Sequence, residues 1–69
     1  MANILKYNQS IYERFTGIKH IVQILFTGRR CYEVRFDDEF YATAENMARA
    51  LDEVVDILAE PGYTTIRPI

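Results

Sequence analysis

The chain has 69 residues, of which 49% are hydrophobic and nine are aromatic, and a formal net charge of −2 at pH 7. A chain of this length forms at most one domain, residues 1–69, and buries only about 60% of its unfolded surface, so we expect marginal stability. The single cysteine, Cys31, and the single histidine, His20, exclude an intramolecular disulfide and a Cys/His zinc cluster.

The N-terminal segment "MANILKYNQS" lacks the basic and apolar regions of a signal peptide. No stretch approaches the roughly 18 apolar residues of a membrane helix. An unpaired cysteine without a signal peptide favours a reducing compartment. We therefore expect a cytoplasmic protein with no membrane partner.

The charges are unevenly distributed. Residues 1–30 hold five cations against one acid, a net charge of +4, whereas residues 31–69 hold three cations against nine acids, a net charge of −6. Such asymmetry bears on partners and not on the fold.

The first 17 residues predict a short strand over 3–7 and then a short helix over 11–16. Ser10 and Glu13 have the spacing of a capping box, and Gly17 stands where a helix C-cap favours glycine. One longer helix is the alternative, because Ile4, Tyr7, Ile11, Tyr12 and Phe15 also fit the helical period.

The next segment predicts a β-hairpin, because "IKHIVQILF" is rich in β-branched residues and "CYEVRF" alternates. Gly28 and Arg29 suit a type II′ turn, which sets a register in which the numbers of facing residues sum to 57. One face, the expected core, then holds Ile21, Leu25, Tyr32, Val34 and Phe36. The other face is mixed and holds His20, Val22, Ile24, Phe26, Cys31, Glu33 and Arg35.

The C-terminal half predicts a turn at 37–39, a brief strand over 40–44 and a main helix over about 44–60 with Thr43 as its cap. Met47, Leu51, Val54, Val55 and Leu58 are expected on its buried side. Pro61 and Gly62 end the helix, and residues 63–69 predict a last strand in which Pro68 marks an edge strand or the end of the strand. The expected fold is α+β, a small antiparallel sheet of three to five strands with one main helix packed on one face.

No catalytic or cofactor motif is present. In the predicted register Cys31 faces Phe26 and His20 faces Asp37, so a Cys–His dyad would span roughly 20 Å at ~3.3 Å per residue. The acids Asp37, Asp38 and Glu39 lack the spacing of a calcium loop. We therefore expect no enzymatic activity, no metal and no cofactor.

The acids of the main helix are the strongest candidate for a binding surface. Arg49 is its only cation, so most acids lack the partner four residues away that usually stabilises an exposed helix. Asp56 and Glu60 also oppose the helix dipole, at a cost of ~0.3–1 kcal/mol each. A pattern that costs stability in a small domain indicates a basic partner surface on a larger protein. The candidate residues for binding this partner are Glu45, Asp52, Glu53, Asp56, Glu60 and Arg67.

Residues 31–69 resemble the small phage-encoded inhibitors of bacterial RNA polymerase. The resemblance lies in the strand with Tyr32, Glu33 and Val34, in Tyr41-Ala42, in the acidic helix with its proline and glycine stop, and in a terminal strand with Arg67-Pro68. It implies an inhibitor that contacts a nucleic-acid-handling enzyme through Arg67 and an acidic face. Thr64 and Thr65 depart from the cationic strand of that family, and residues 1–30 are not covered.

Two other functions stay open. The chain is a self-associating protein if the mixed sheet face, with Val22, Ile24 and Phe26, pairs in a homodimer. It contacts nucleic acid directly if the basic residues Lys6, Lys19, Arg29 and Arg30 gather on one surface, although the acidic helix would repel phosphate.

Overall fold

The computed structural model describes residues 3–67. Within this range the chain forms five strands and one helix in the order β1 Ile4–Glu13, β2 Lys19–Gly28, β3 Cys31–Phe36, β4 Glu39–Ala44, α1 Met47–Leu58 and β5 Tyr63–Thr64. The strands form a single sheet with the order β4-β3-β2-β1-β5, and every pair of neighbours is antiparallel. The α+β class is therefore correct.

The N-terminal helix is wrong in both of its versions, because Ile4–Glu13 is one continuous strand. Ser10 pairs with Ile21 across the β1–β2 hairpin and does not cap a helix. Gly17 does take a positive φ of 72°, but it does so in the loop between these strands. The local conformation that glycine favours was predicted correctly, whereas the element around it was not.

The β2–β3 turn also differs from the predicted one. Gly28 pairs with Cys31, so the turn residues are Arg29 and Arg30, and Arg30 carries the positive φ of 55°. An irregularity between Phe26 and Gly28 then makes Ile24 the partner of Val34. The register is one residue away from the predicted register, which moves all of β2 to the opposite face relative to β3.

The buried residues of β2 lie on the face that was predicted to be mixed, whereas those of β3 lie where the core was predicted. Val22, Ile24 and Val34 are fully buried, together with Ile11 of β1. They form one cluster with Ala50, Val54 and Ile57, the buried residues of α1. We call this side of the sheet the core face. The residues expected to form a dimer face, Val22, Ile24 and Phe26, lie on this core face, and Val22 and Ile24 are fully buried within the same chain.

The opposite side of the sheet, which we call the open face, carries the β2 residues that were expected in the core. Ile21 is exposed and Leu25 is half-buried, and the cross-strand neighbour of Leu25 on β1, Leu5, is also exposed. On β3 this face shows Glu33 and Arg35, which form an ion pair. No residue of this face is fully buried.

The helix is shorter and rotated relative to the prediction. Asn46, not Thr43, is its N-cap, because the Asn46 side chain accepts a hydrogen bond from the Arg49 amide at 2.9 Å. Ala50 is fully buried, whereas Leu51 and Val55 are 37% and 60% exposed. The placement of Leu51 and Val55 on the buried side is therefore wrong, while that of Val54 is right.

The last strand is much shorter than predicted. β5 consists of Tyr63–Thr64 and pairs with Tyr12 and Glu13 at one end of β1. The Arg14 amide and guanidinium fix this segment by donating to the carbonyl oxygens of Gly62 at 2.9 Å and Tyr63 at 3.0 Å. Arg67 follows the strand and is exposed, and the predicted end at Pro68 lies outside the described residues.

Candidate functional site

The outer surface of α1 combines acids with exposed apolar side chains. The acidic α1 surface consists of Glu45, Asp52, Glu53, Asp56 and Glu60, all exposed except Glu53, which is half-buried. Glu45 precedes the N-cap and Glu60 follows the last helical residue, Leu58, so neither lies inside the helix.

Beside these acids runs an exposed apolar stripe, which we define as Ala48, Leu51, Val55 and Ala59. The spacing of three and four residues places these side chains on one line along α1. None of them is buried, because the buried side of the helix is made by Ala50, Val54 and Ile57. Binding surfaces combine an apolar centre with a charged rim, so the stripe and the acids beside it form a candidate contact area.

Three of the acids line a groove between α1 and the edge strand β4. Its volume is about 450 Å³, and its walls are formed by Glu45, Asp52, Glu53, Arg49, Thr43 and Ala44. Arg49 is the only cation of this groove, so three carboxylates face one guanidinium. The groove therefore attracts a positively charged group.

The other residues predicted to bind the partner do not all lie at this groove. Glu60 lies at the opposite end of α1, beside Glu39 at the start of β4. Arg67 follows β5, which belongs to the other edge of the sheet. The basic residues proposed for nucleic acid are also separated, because Lys19 starts β2 whereas Arg29 and Arg30 follow its end. Lys6 follows Leu5, which pairs with Leu25, so it lies toward the Arg29 and Arg30 end, and Lys19 is the member of the set that lies apart.

His20 forms a second polar cluster, at the end of the sheet near β5. Its Nε2 lies 2.6 Å from Oε2 of Glu13, and its Nδ1 contacts Oδ2 of Asp37. The ring also stacks on Phe36, with a centroid distance of 5.1 Å, and meets Tyr63 edge-on at 5.6 Å. The predicted neighbourhood of His20 and Asp37 is thus present, although the register that suggested it is shifted.

The electrostatics of this cluster favour a charged imidazolium. The hydrogen bond to Asp37, and then that to Glu13, raises the pKa of His20 above its ordinary value. The bond from His20 lowers the pKa of Glu13. Burial raises the pKa of Asp37, but the bonds from His20 and from the Ile21 amide outweigh it, so the net shift is downward. The cluster links the ends of β1 and β2 to the β3–β4 turn.

The geometry of the His20 cluster is that of a structural clamp. Each imidazole nitrogen faces a different carboxylate, so the three side chains do not converge on one point, and neither nitrogen is free to act as a base. Within residues 3–67 no group of three His, Cys, Asp or Glu side chains is arranged to hold a metal ion. Cys31 accepts a hydrogen bond from Thr27 Oγ1 at 3.1 Å and lies at the other end of β2 from His20.

The described part of the chain has no helix that is long and apolar enough to cross a membrane. Comparison of the sequence with protein families and curated proteins, and of the fold with solved structures, finds no match.

Proposed function

We propose that this chain is a non-enzymatic protein-binding module that docks its acidic α1 surface on a basic surface of a larger protein. The observation that carries the proposal is the exposure of Leu51 and Val55 directly beside Asp52 and Asp56. The apolar stripe supplies the contact area, and the acids around it select a positively charged partner and speed the encounter.

Docking of this kind occludes the surface to which the module binds. Extended basic surfaces are typical of proteins that handle nucleic acids, because these surfaces bind phosphate. The resemblance of residues 31–69 to phage-encoded RNA polymerase inhibitors supports the same class of partner. The module then acts as a steric and electrostatic inhibitor, with the α1 acids in the place of nucleic acid.

Capture of the partner from a lysate of the native host tests this proposal. Asp52→Asn with Asp56→Asn should weaken capture, and Asp52→Lys with Asp56→Lys should abolish it. The control is Asn8→Lys with Thr65→Lys, which changes the net charge by the same +2 as the asparagine pair at exposed positions away from α1. Equal weakening by the control would show that only net charge matters.

Self-association through the open face is the second candidate function. Leu5, Leu25 and Ile21 are cross-strand or same-face neighbours that remain partly exposed, and the Glu33–Arg35 pair adds no net charge to this face. A small domain gains stability by covering such a face with a second copy. Sedimentation should then show a dimer that Ile21→Glu converts to a monomer; a single mass at all concentrations contradicts this candidate.

A further inference from the structure

A second cavity, which we call the aromatic pocket, lies between the C-terminal end of α1 and the start of β4. Its volume is about 410 Å³, in the lower range of ligand clefts. Four of its walls are aromatic, namely Phe36, Phe40, Tyr41 and Tyr63, and two are carboxylates, Glu39 and Glu60. Ile57 of α1 completes the lining.

Two of the aromatic side chains at this pocket are exposed, and the other two are half-buried. Phe40 is 62% and Tyr41 45% exposed, while Phe36 and Tyr63 meet edge-on at a centroid distance of 5.9 Å. Phe36 and Tyr63 pack against the core cluster, so they are held in place. The pocket therefore joins two fixed rings to two rings that still face solvent.

The charges of the pocket are all negative. Among the described residues, neither the Glu39 nor the Glu60 side chain has a hydrogen bond or an ion pair, and no Lys or Arg lines the cavity. Two of the other acids, Glu13 and Asp37, share the single cation His20, so they leave no cation free for the pocket. Arg35, the nearest cation in sequence, is bound to Glu33 and to the Asp38 carbonyl oxygen.

This combination selects a cation. The faces of aromatic rings carry partial negative charge and attract ammonium and guanidinium groups, and two free carboxylates strengthen that attraction. An anion would be repelled, and a neutral apolar ligand would gain nothing from Glu39 and Glu60. A guanidinium fits best, because it is planar, stacks on aromatic rings and forms paired hydrogen bonds with carboxylates.

We propose that the aromatic pocket binds an arginine side chain of the partner protein. This inference rests on the proposed function for the identity of the partner, because Glu60 belongs to both the acidic α1 surface and the pocket. The acids of α1 provide long-range attraction, while the pocket provides a specific contact for one cationic side chain. The pocket itself binds a guanidinium whether or not the partner is present.

The test uses the intact protein and Nα-acetyl-arginine amide as the probe in a chemical-shift titration. We expect saturable shifts at Phe40, Tyr41 and Tyr63. The matched probe Nα-acetyl-citrulline amide has nearly the same shape without the charge. Its affinity should be lower than that of the arginine probe by a factor of roughly ten or more. Equal shifts with citrulline, or small shifts spread over the whole chain, would overturn the inference. A third probe, Nα-acetyl-lysine amide, carries an ammonium group, and stronger binding of this probe than of the arginine probe would overturn the choice of guanidinium.

Two pairs of variants locate the binding. Glu39→Gln with Glu60→Gln should lower the affinity for the arginine probe roughly tenfold. The control Asn3→Lys with Asn8→Lys changes the net charge by the same +2 at exposed positions of the β1 segment, away from the pocket and from α1, and should leave that affinity unchanged. Tyr41→Leu should also weaken binding, because it removes a ring but keeps an apolar side chain. Equal effects of the two pairs would show an unspecific electrostatic attraction and no pocket.

These results separate the two proposals. If the arginine probe binds the pocket but partner capture survives the charge reversal of Asp52 and Asp56, the docking proposal fails and the pocket stands. If capture depends on Asp52 and Asp56 but the probe does not respond to changes at Glu39 and Glu60, the pocket inference alone fails.

Discussion

The core face and the open face of the sheet are both apolar along β2, yet only one is buried. Val22 and Ile24 are fully buried, whereas Ile21 and Leu25 on the other side of the same strand are not. The difference lies in α1, whose buried residues join the cluster of the core face. Burial in this domain is therefore decided by the position of one helix and not by the hydropathy of the strand.

The same comparison applies to the helix. Ala50 is buried whereas the larger Leu51 is 37% exposed. A small residue allows the helix to approach the sheet closely, so Ala50, Val54 and Ile57 face inward, and Leu51 and Val55 remain outside. The apolar residues left over on the open face and on α1 are the surfaces that remain for partners.

A buried charge gives the largest expected difference between the two sheet faces. Ile24→Glu should unfold the protein, because an unpaired carboxylate in the core costs several kcal/mol against a total stability of roughly 3–10 kcal/mol for this length. Ile21→Glu, three residues earlier on the open face of the same strand, should leave a folded protein. Circular dichroism and urea denaturation distinguish the two, and similar losses would show that the faces are wrongly assigned.

A smaller difference is expected between neighbouring faces of α1. Val54→Ala should lower the free energy of unfolding by about 1.5–3 kcal/mol, because it leaves a cavity beneath the helix. Leu51→Ala should cost about 1 kcal/mol or less, since its side chain is already partly in solvent. Urea denaturation of both variants checks this, and a larger loss for Leu51→Ala would support the helix phase predicted from sequence.

The turn chemistry explains why the register could not be predicted. The sequence "TGRR" offers glycine as the residue for a positive φ, but Arg30 takes it, at a cost that the rest of the hairpin outweighs. Because β2 is apolar on both faces, nothing in its pattern opposes a shift of one residue. By contrast β3 alternates, and the predicted core positions Tyr32, Val34 and Phe36 face the right side.

The remaining differences also have local causes. Ser10 and Glu13 match a capping box by spacing, but long-range pairing of β1 with β2 overrides that signal. The exposed acids were found from sequence because charge reports on the surface directly. The exposed apolar stripe and the aromatic pocket were not, because they depend on which side of α1 meets the sheet and on the approach of Tyr63 to Phe36.

The His20 clamp gives the smallest effect and a defined dependence on pH. The pKa of His20 in the folded protein is raised above 6.5. The contribution of His20 to the free energy of unfolding is therefore complete below pH 6.5 and is lost as the pH rises through the folded pKa. The pKa values of Glu13 and Asp37 are lowered from 4.5 and 3.8, so their contributions are present above these values and are lost as the pH falls through the folded ones. Stability should therefore be greatest between these limits.

Urea midpoints at about pH 5.5 and about pH 9 measure this effect. The unchanged protein should be more stable at the lower pH, and His20→Gln should reduce the difference because it removes the titrating group. An equal difference in both proteins would show that His20 does not act as the clamp.

The most direct test of the account compares capture of the partner by two folded variants that each alter one surface. Asp52→Lys with Asp56→Lys changes the acidic α1 surface, and Ile21→Glu changes the open face. We expect that the first variant loses the partner, that the second retains it, and that capture by the unchanged protein weakens steeply with salt. Undiminished capture by the folded lysine variant, or loss of capture by Ile21→Glu alone, would contradict it.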